Sequence, residues 1–206
     1  GETELNADVI SMVGICALCE KFVAVDRQLA DNAQEGIMYY VKGKMVLKAV
    51  KNQDEYDISL FDASMVKNDL KSLLVWKNST VDTEAEFRIP SKILQKAKKL
   101  RERSADDAAL KELMECGMSE SDAETVLKGL TGNLNFYSFT FADFTGGEND
   151  LDGIDNVMVI NSSGRSFKLA LDVENNEDIV SFANTDFENT LNEIYSCVEK
   201  LKISGE

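Results

Sequence analysis

Residues 37–50 read IMYYVKGKMVLKAV, followed by YDISLFD at 56–62 and SMVKNDLKSLL at 64–74. About 120 positions later the chain does something similar. Residues 157–171 read VMVINSSGRSFKLAL, followed by EDIVSFA at 177–183 and TDFENTLNEIY at 185–195. The first run of each copy reads as two strands and the second run as a third. Lys42-Gly43 and Ser162-Ser163-Gly164 supply the turns that fold the first run into a hairpin. Each copy then switches to helical spacing, with Val66, Leu70, Leu73 and Leu74 on one stripe and Phe187, Leu191, Ile194, Tyr195 and Val198 on the other. Shifted by 121, six positions are identical: Ala49/Ala170, Asp57/Asp178, Ile58/Ile179, Phe61/Phe182, Asn68/Asn189 and Leu70/Leu191. The expectation is an α+β fold of two similar ββ-β-α units with antiparallel sheets, an internal duplication with pseudo-twofold character. Phe61/Phe182 and Leu70/Leu191 are expected at matching core positions.

Outward from these copies, Ala7 to Glu20 has a helical apolar face, and Phe22–Asp26 reads as a short strand or a continuation of that helix. Glu84–Ile89 alternates as a strand before Pro90, the single proline. Helices follow from Ser91, over Asp106–Cys116 with Gly117 as the break, and from Ser119 to Leu127. Phe136–Phe144 alternates strongly. The organisation expected is a first α+β unit over 1–90, a helical connecting segment over 91–132 and a second α+β unit over 133–206.

Composition narrows the function. With 206 residues the chain is long enough to bury a core, and 37 acids against 22 bases give a net charge of −15. Histidine is absent, which removes Ser-His-Asp and Cys-His nucleophiles, histidine-ligated metals and a histidine pH switch. No apolar run is long enough to span a bilayer, and no leader pattern is present. Four cysteines are too few for a disulfide framework, so reduced thiols in the cytoplasm are expected. Cys16-x-x-Cys19 has a redox spacing, but it falls on an apolar helical face and reads as core.

Two clusters carry candidate chemistry. Glu148, Asp150, Asp152, Gly153 and Asp155 resemble the front half of a calcium loop, with oxygen donors at alternate positions and a glycine at the turn. The loop lacks the bidentate acid at its twelfth position, where Val159 stands, so a polar hairpin loop is the plainer reading and calcium the candidate cofactor. Lys92, Lys96, Lys98, Lys99, Arg101 and Arg103 form the densest positive cluster. They read as a solvated helix face, with nucleic-acid contact as the sharper alternative.

Two resemblances bear on function. Gly36-Ile37-Met38 through Lys48-Ala49-Val50, Tyr56 to Asp62, Tyr137 to Phe141 through Asp143-Phe144, and Gly147-Glu148-Asn149 are similar to strand and loop segments of the sliding clamps of T-even-type bacteriophages. That resemblance implies a homo-oligomeric ring serving DNA polymerase processivity, with the Lys92–Arg103 cations facing nucleic acid. Leu113 to Ser119, with Ala123 and Leu127, looks like the first turn of a ubiquitin-associated domain, with Cys-Gly-Met where such domains carry Met-Gly-aromatic. The leading expectation is a non-enzymatic acidic protein that binds or assembles with a basic protein partner. The alternatives are the clamp-like ring protein and a cation-binding protein using the 148–155 loop.

Overall fold

The computed structural model describes residues 7–31, 33–52, 55–76, 86–145, 153–162 and 164–204. Helix α1 (Ala7–Ala17) precedes a four-strand meander of β1 (Lys21–Gln28), β2 (Gln34–Lys42), β3 (Met45–Asn52) and β4 (Glu55–Asp62), which ends in the short helix α2 (Val66–Ser72). Strand β5 (Glu86–Pro90) leads into helices α3 (Ser91–Glu102), α4 (Asp106–Met114) and α5 (Glu120–Leu130). The meander-plus-helix plan then recurs as β6 (Asn135–Asp143), β7 (Ile154–Asn161), β8 (Ser166–Glu174), β9 (Glu177–Asn184) and α6 (Phe187–Lys200). Each ββ-β-α unit is thus preceded by one more strand, β6 where Phe136–Phe144 is expected to be one and β1 at Phe22–Asp26. The doubtful segment Phe22–Asp26 is a strand.

All nine strands form one antiparallel sheet in the order β4-β3-β2-β1-β6-β7-β8-β9-β5. The units meet along an eight-pair seam between β1 and β6, from Lys21↔Asp143 to Gln28↔Phe136. The strand order mirrors itself about this seam, as a twofold axis through it would produce. Strand β5 breaks the mirror: it lies in the first stretch of sequence yet pairs with β9.

Side-chain alternation divides the sheet into two faces. On the front face Val23, Val25, Ile37, Tyr39, Tyr137, Phe139, Phe141, Val157 and Val159 pack under α2 and α6, which contribute Val66, Leu70, Leu191, Ile194 and Val198. On the back face Ile160, Phe167 and Phe182 pack under α3–α5 through Leu94, Leu113, Val126 and Leu127. Helix α1 lies on the same back face over β2 and β3. There it buries Leu47 and Ala49, which belong to neither larger cluster.

The 121-residue echo is out of register with the structure. Lys48↔Ser59 on β3/β4 corresponds to Lys168↔Ala183 on β8/β9, a shift of 120 for one strand and 124 for the other. Both shifts are even because a one-residue slip would turn every side chain to the other face. Accordingly Phe61 packs on the front cluster and Phe182 sits in the back cluster, so they are not matching core positions. Leu70 and Leu191 do share the front cluster. A further equivalence appears in charge: Lys48 on β3 pairs with Asp69 on α2 at 2.7 Å, and Lys168 on β8 pairs with Glu193 on α6.

Among the described residues no helix is long and apolar enough to cross a membrane.

Candidate protein-binding cleft

The front face is roofed across the seam, and the back face is not. Helix α1 covers β2 and β3 at one end and α3–α5 cover the β7–β9 end, leaving the back face of the central strands between two helical walls. At the end of this gap lies a cleft of about 570 Å³ lined by Asp26, Arg27, Gln28, Gln34, Glu35, Gly36, Lys51 and Phe136. Four strands build it, because Lys51↔Gly36, Asp26↔Gly36 and Gln28↔Phe136 are cross-strand neighbours. Gly36 keeps its floor open. A Cβ there would stand 3.7 Å from the Asp26 carboxylate and 4.0 Å from the Lys51 Cβ, so the site has room for a side chain and carries none.

One wall of the cleft is held rigidly. Arg27 donates to the Glu35 carboxylate at 2.7 and 3.0 Å and to the Leu73 carbonyl at 2.8 Å. Beneath it, Tyr137 Oη donates to the Val75 carbonyl and accepts from the Val75 amide, both at 2.9 Å, while Asn135 donates to the same carbonyl at 2.7 Å. These bonds tie the chain leaving α2 to the bottom of β6. Burial pushes the Tyr137 hydroxyl above its ordinary range, which keeps it a neutral donor. Tyr39 is raised further by burial and then by its 2.6 Å bond to Asp69. Both tyrosines face the front core, away from the cleft, so their chemistry is structural.

At the far end of the seam, Lys21 and Asp143 form a 2.9 Å cross-strand pair. Burial alone would raise the Asp143 carboxyl, but hydrogen bonds from the Thr145 hydroxyl and amide and from Lys21 bring it down to about 2. In the second unit, Asp122 of α5 is buried and takes a 3.0 Å bond from Arg165 in the β7–β8 turn and a 2.6 Å bond from the Ser119 hydroxyl. This contact fastens the three-helix layer to the sheet.

The sequence-derived candidates fall elsewhere. Glu148, Asp150 and Asp152 lie outside the described residues. Asp155 stands on β7, where Lys200 of α6 approaches it at 3.2 and 3.4 Å. Gly153 has φ of 81°, the conformation that favours glycine at a sharp turn. Of the six cations on or beside α3, Lys92 pairs with Glu177, Lys96 with Glu112 at 2.6 Å and Arg101 with Asp106 at 2.7 Å. Lys98, Lys99 and Arg103 are exposed. The cluster is therefore half neutralised by its neighbours.

The Cys16/Cys19 reading needs correction. Cys16 is exposed and Cys19 half-buried beyond the end of α1, so neither is a core residue; Cys197 is. Burial raises both thiols of the pair, and for Cys19 the neighbouring Cys16 adds to the rise. A raised thiol is the opposite of what a reactive Cys-x-x-Cys uses. Cys116-Gly117-Met118 forms the α4–α5 turn, with Met118 buried in the back cluster and Gly117 at φ 95°.

The cleft residues were invisible as a group in the sequence. Asp26, Gly36, Lys51 and Phe136 share no motif and become neighbours only through strand register. Gly36, a glycine inside an otherwise apolar strand, is the one local signal that could have marked the place.

No protein-family profile matches the chain, and no curated protein matches its sequence. The fold has known company. Solved structures similar to it include the Mycobacterium tuberculosis type VII secretion system chaperone EspG5 in complex with a PE25–PPE41 dimer, at a TM-score of 0.60 and 11% identity over 95% of this chain and 78% of that one. At that identity the likeness establishes a shared fold.

Proposed function

We propose that this chain is a non-enzymatic, acidic protein-binding protein that holds a basic protein partner against the uncovered centre of its back face. The observation that carries the reading is the strand-lined cleft at the end of the gap between α1 and α3–α5, in a sheet whose other face is roofed. Three further points support it. The net charge of −15 favours encounter with a positively charged surface. The chain holds no histidine, and the cleft gathers no nucleophile–base pair of the kind covalent catalysis uses. The similar solved chaperone was captured with a protein dimer bound, and carrying that role across to this chain is part of the proposal.

The test is a variant that fills the cleft. Gly36→Trp places a large ring over Asp26 and Lys51 while the strand gains a residue suited to a sheet. The protein that co-purifies with the wild-type chain from its own cells should bind the variant at least about tenfold more weakly. Wild-type binding should also weaken as salt is raised, the mark of opposite charges meeting. Unchanged affinity of Gly36→Trp, with the fold intact by circular dichroism, would rule the cleft out.

A further inference from the structure

The sheet has two outer edges, and only one is finished. In the second unit, β9 carries β5 along its outer side, from Glu86↔Ala183 to Pro90↔Ile179. Strand β5 is itself a guarded edge, five residues long, ended by Pro90 and bearing Arg88, features that discourage further strand pairing. In the first unit, β4 holds the equivalent position and ends the sheet with nothing beyond it among the described residues. It is eight residues long, has no proline and no basic residue, and is exposed along almost its whole length. Tyr56, Ile58 and Leu60 line its back face at 50%, 48% and 37% exposure. Two of them are the back-face equivalents of β9 positions that β5 and α3 cover, Tyr56 matching Val180 and Ile58 matching Phe182.

We infer that the outer edge of β4 accepts an extended segment of a protein partner as a tenth strand, one that alternates apolar residues with lysine or arginine. The internal template gives the apolar half of that description. On β9, Phe87 lies opposite Phe182 and Ile89 opposite Val180, so the incoming strand sets apolar side chains opposite Ile58 and Tyr56. Charge gives the other half. On the template, Arg88 lies between these two positions and reaches Asp172 at 3.0 Å and Glu174 at 2.7 Å. On the face that Arg88 occupies, strand β4 carries Glu55 and Asp57 and no base, in a chain carrying −15. A second copy of this chain is the wrong occupant, since a β4–β4 pair has no base on either strand and brings two bodies of net charge −15 together. Main-chain hydrogen bonds supply the attraction and the alternate side chains the selectivity. Tyr56 at one end of this edge neighbours Lys51 of the cleft, but the edge itself is a separate surface and the inference does not rest on the cleft reading.

The experiment uses the full chain, ¹⁵N-labelled, titrated to about 1 mM with a peptide alternating lysine with phenylalanine, isoleucine and valine, and with a second peptide carrying glutamate for lysine. The expected result is shifts and slowed hydrogen exchange at β4 amides with the lysine peptide, and binding about tenfold weaker with the glutamate peptide. The double variant Ile58→Lys/Leu60→Lys should lose the response while keeping the rest of its spectrum. The inference is overturned if β4 amides do not respond, if the response lies only at other residues, or if both peptides bind equally. It is also overturned if β4 becomes protected with rising protein concentration and no peptide, which would make a second copy the occupant. Because Gly36 is untouched, failure here leaves the cleft to be judged by its own variant.

Discussion

The two ββββα units share a plan and differ in what covers them. Each presents its front face to its own helix, and even the strand-to-helix ion pair recurs, as Lys48–Asp69 and Lys168–Glu193. On the back face the units diverge. The second is roofed by three helices and closed by β5, so Phe182 is buried. The first has α1 alone, and Leu60 and its neighbours stay in water. The lesson is that matching strands carry similar residues for different ends. In one unit the apolar back face completes a core, and in the other it stays exposed among the described residues.

The largest test of this contrast is a matched pair of truncations. Phe182→Ala should cost about 3–5 kcal/mol, because a buried ring leaves a cavity under the helical layer. The equivalent Ile58→Ala should cost under about 1 kcal/mol, as exposed positions do. Urea unfolding of both variants measures the difference, and equal costs would break the comparison. Next in size is the fastening of the helical layer. Arg165→Met leaves the Asp122 carboxylate buried without its cation, and a loss of about 3 kcal/mol is expected. Native-state hydrogen exchange should show α4 and α5 opening first, with the first unit unaffected.

A smaller effect belongs to the seam the units share. Asp143 has a folded-state pKa near 2, below the ordinary aspartate value of about 3.9. A lowered pKa contributes stability at pH above the unfolded value, and that contribution is lost as pH falls from about 4 through 2. Solvent screening of this part-exposed pair holds the contribution to about 1 kcal/mol. Asp143→Asn should therefore flatten the acid limb of a stability–pH profile between pH 4 and 2 without changing its neutral-pH shape. A profile that keeps its full slope would remove Asp143 from the acid response.

Much of the architecture was legible in the sequence, for a physical reason. Alternation and helical stripes are local, and Tyr39-Tyr40-Val41, Phe136–Phe144 and Leu191–Val198 show them plainly. The hairpins were readable through Lys42-Gly43 and Ser162-Ser163-Gly164. Partnership across distance was not readable. Nothing in Glu86-Phe87-Arg88-Ile89-Pro90 says that it pairs with β9, and nothing in β1 or β6 says that they meet. The letter-matching shift of 121 also misled, since strand equivalence demands an even shift and chance identities do not. The cleft suffered most, being assembled from Asp26, Gly36, Lys51 and Phe136 by register alone. Composition bears on function class rather than on place: the missing histidine and the acidic excess point toward binding, the reading proposed above, without marking any surface.

The central claim is that the first unit's open back face is where this chain meets a protein partner. Site-directed photo-crosslinking in the native cell addresses it most directly, with a photoreactive residue replacing Gln34 or Lys51 at the cleft, or Asn192 on the exposed side of α6. The account predicts a discrete adduct with one basic protein from the two cleft positions and none from Asn192. Adducts from Asn192 alone, or from all three positions alike, would contradict it.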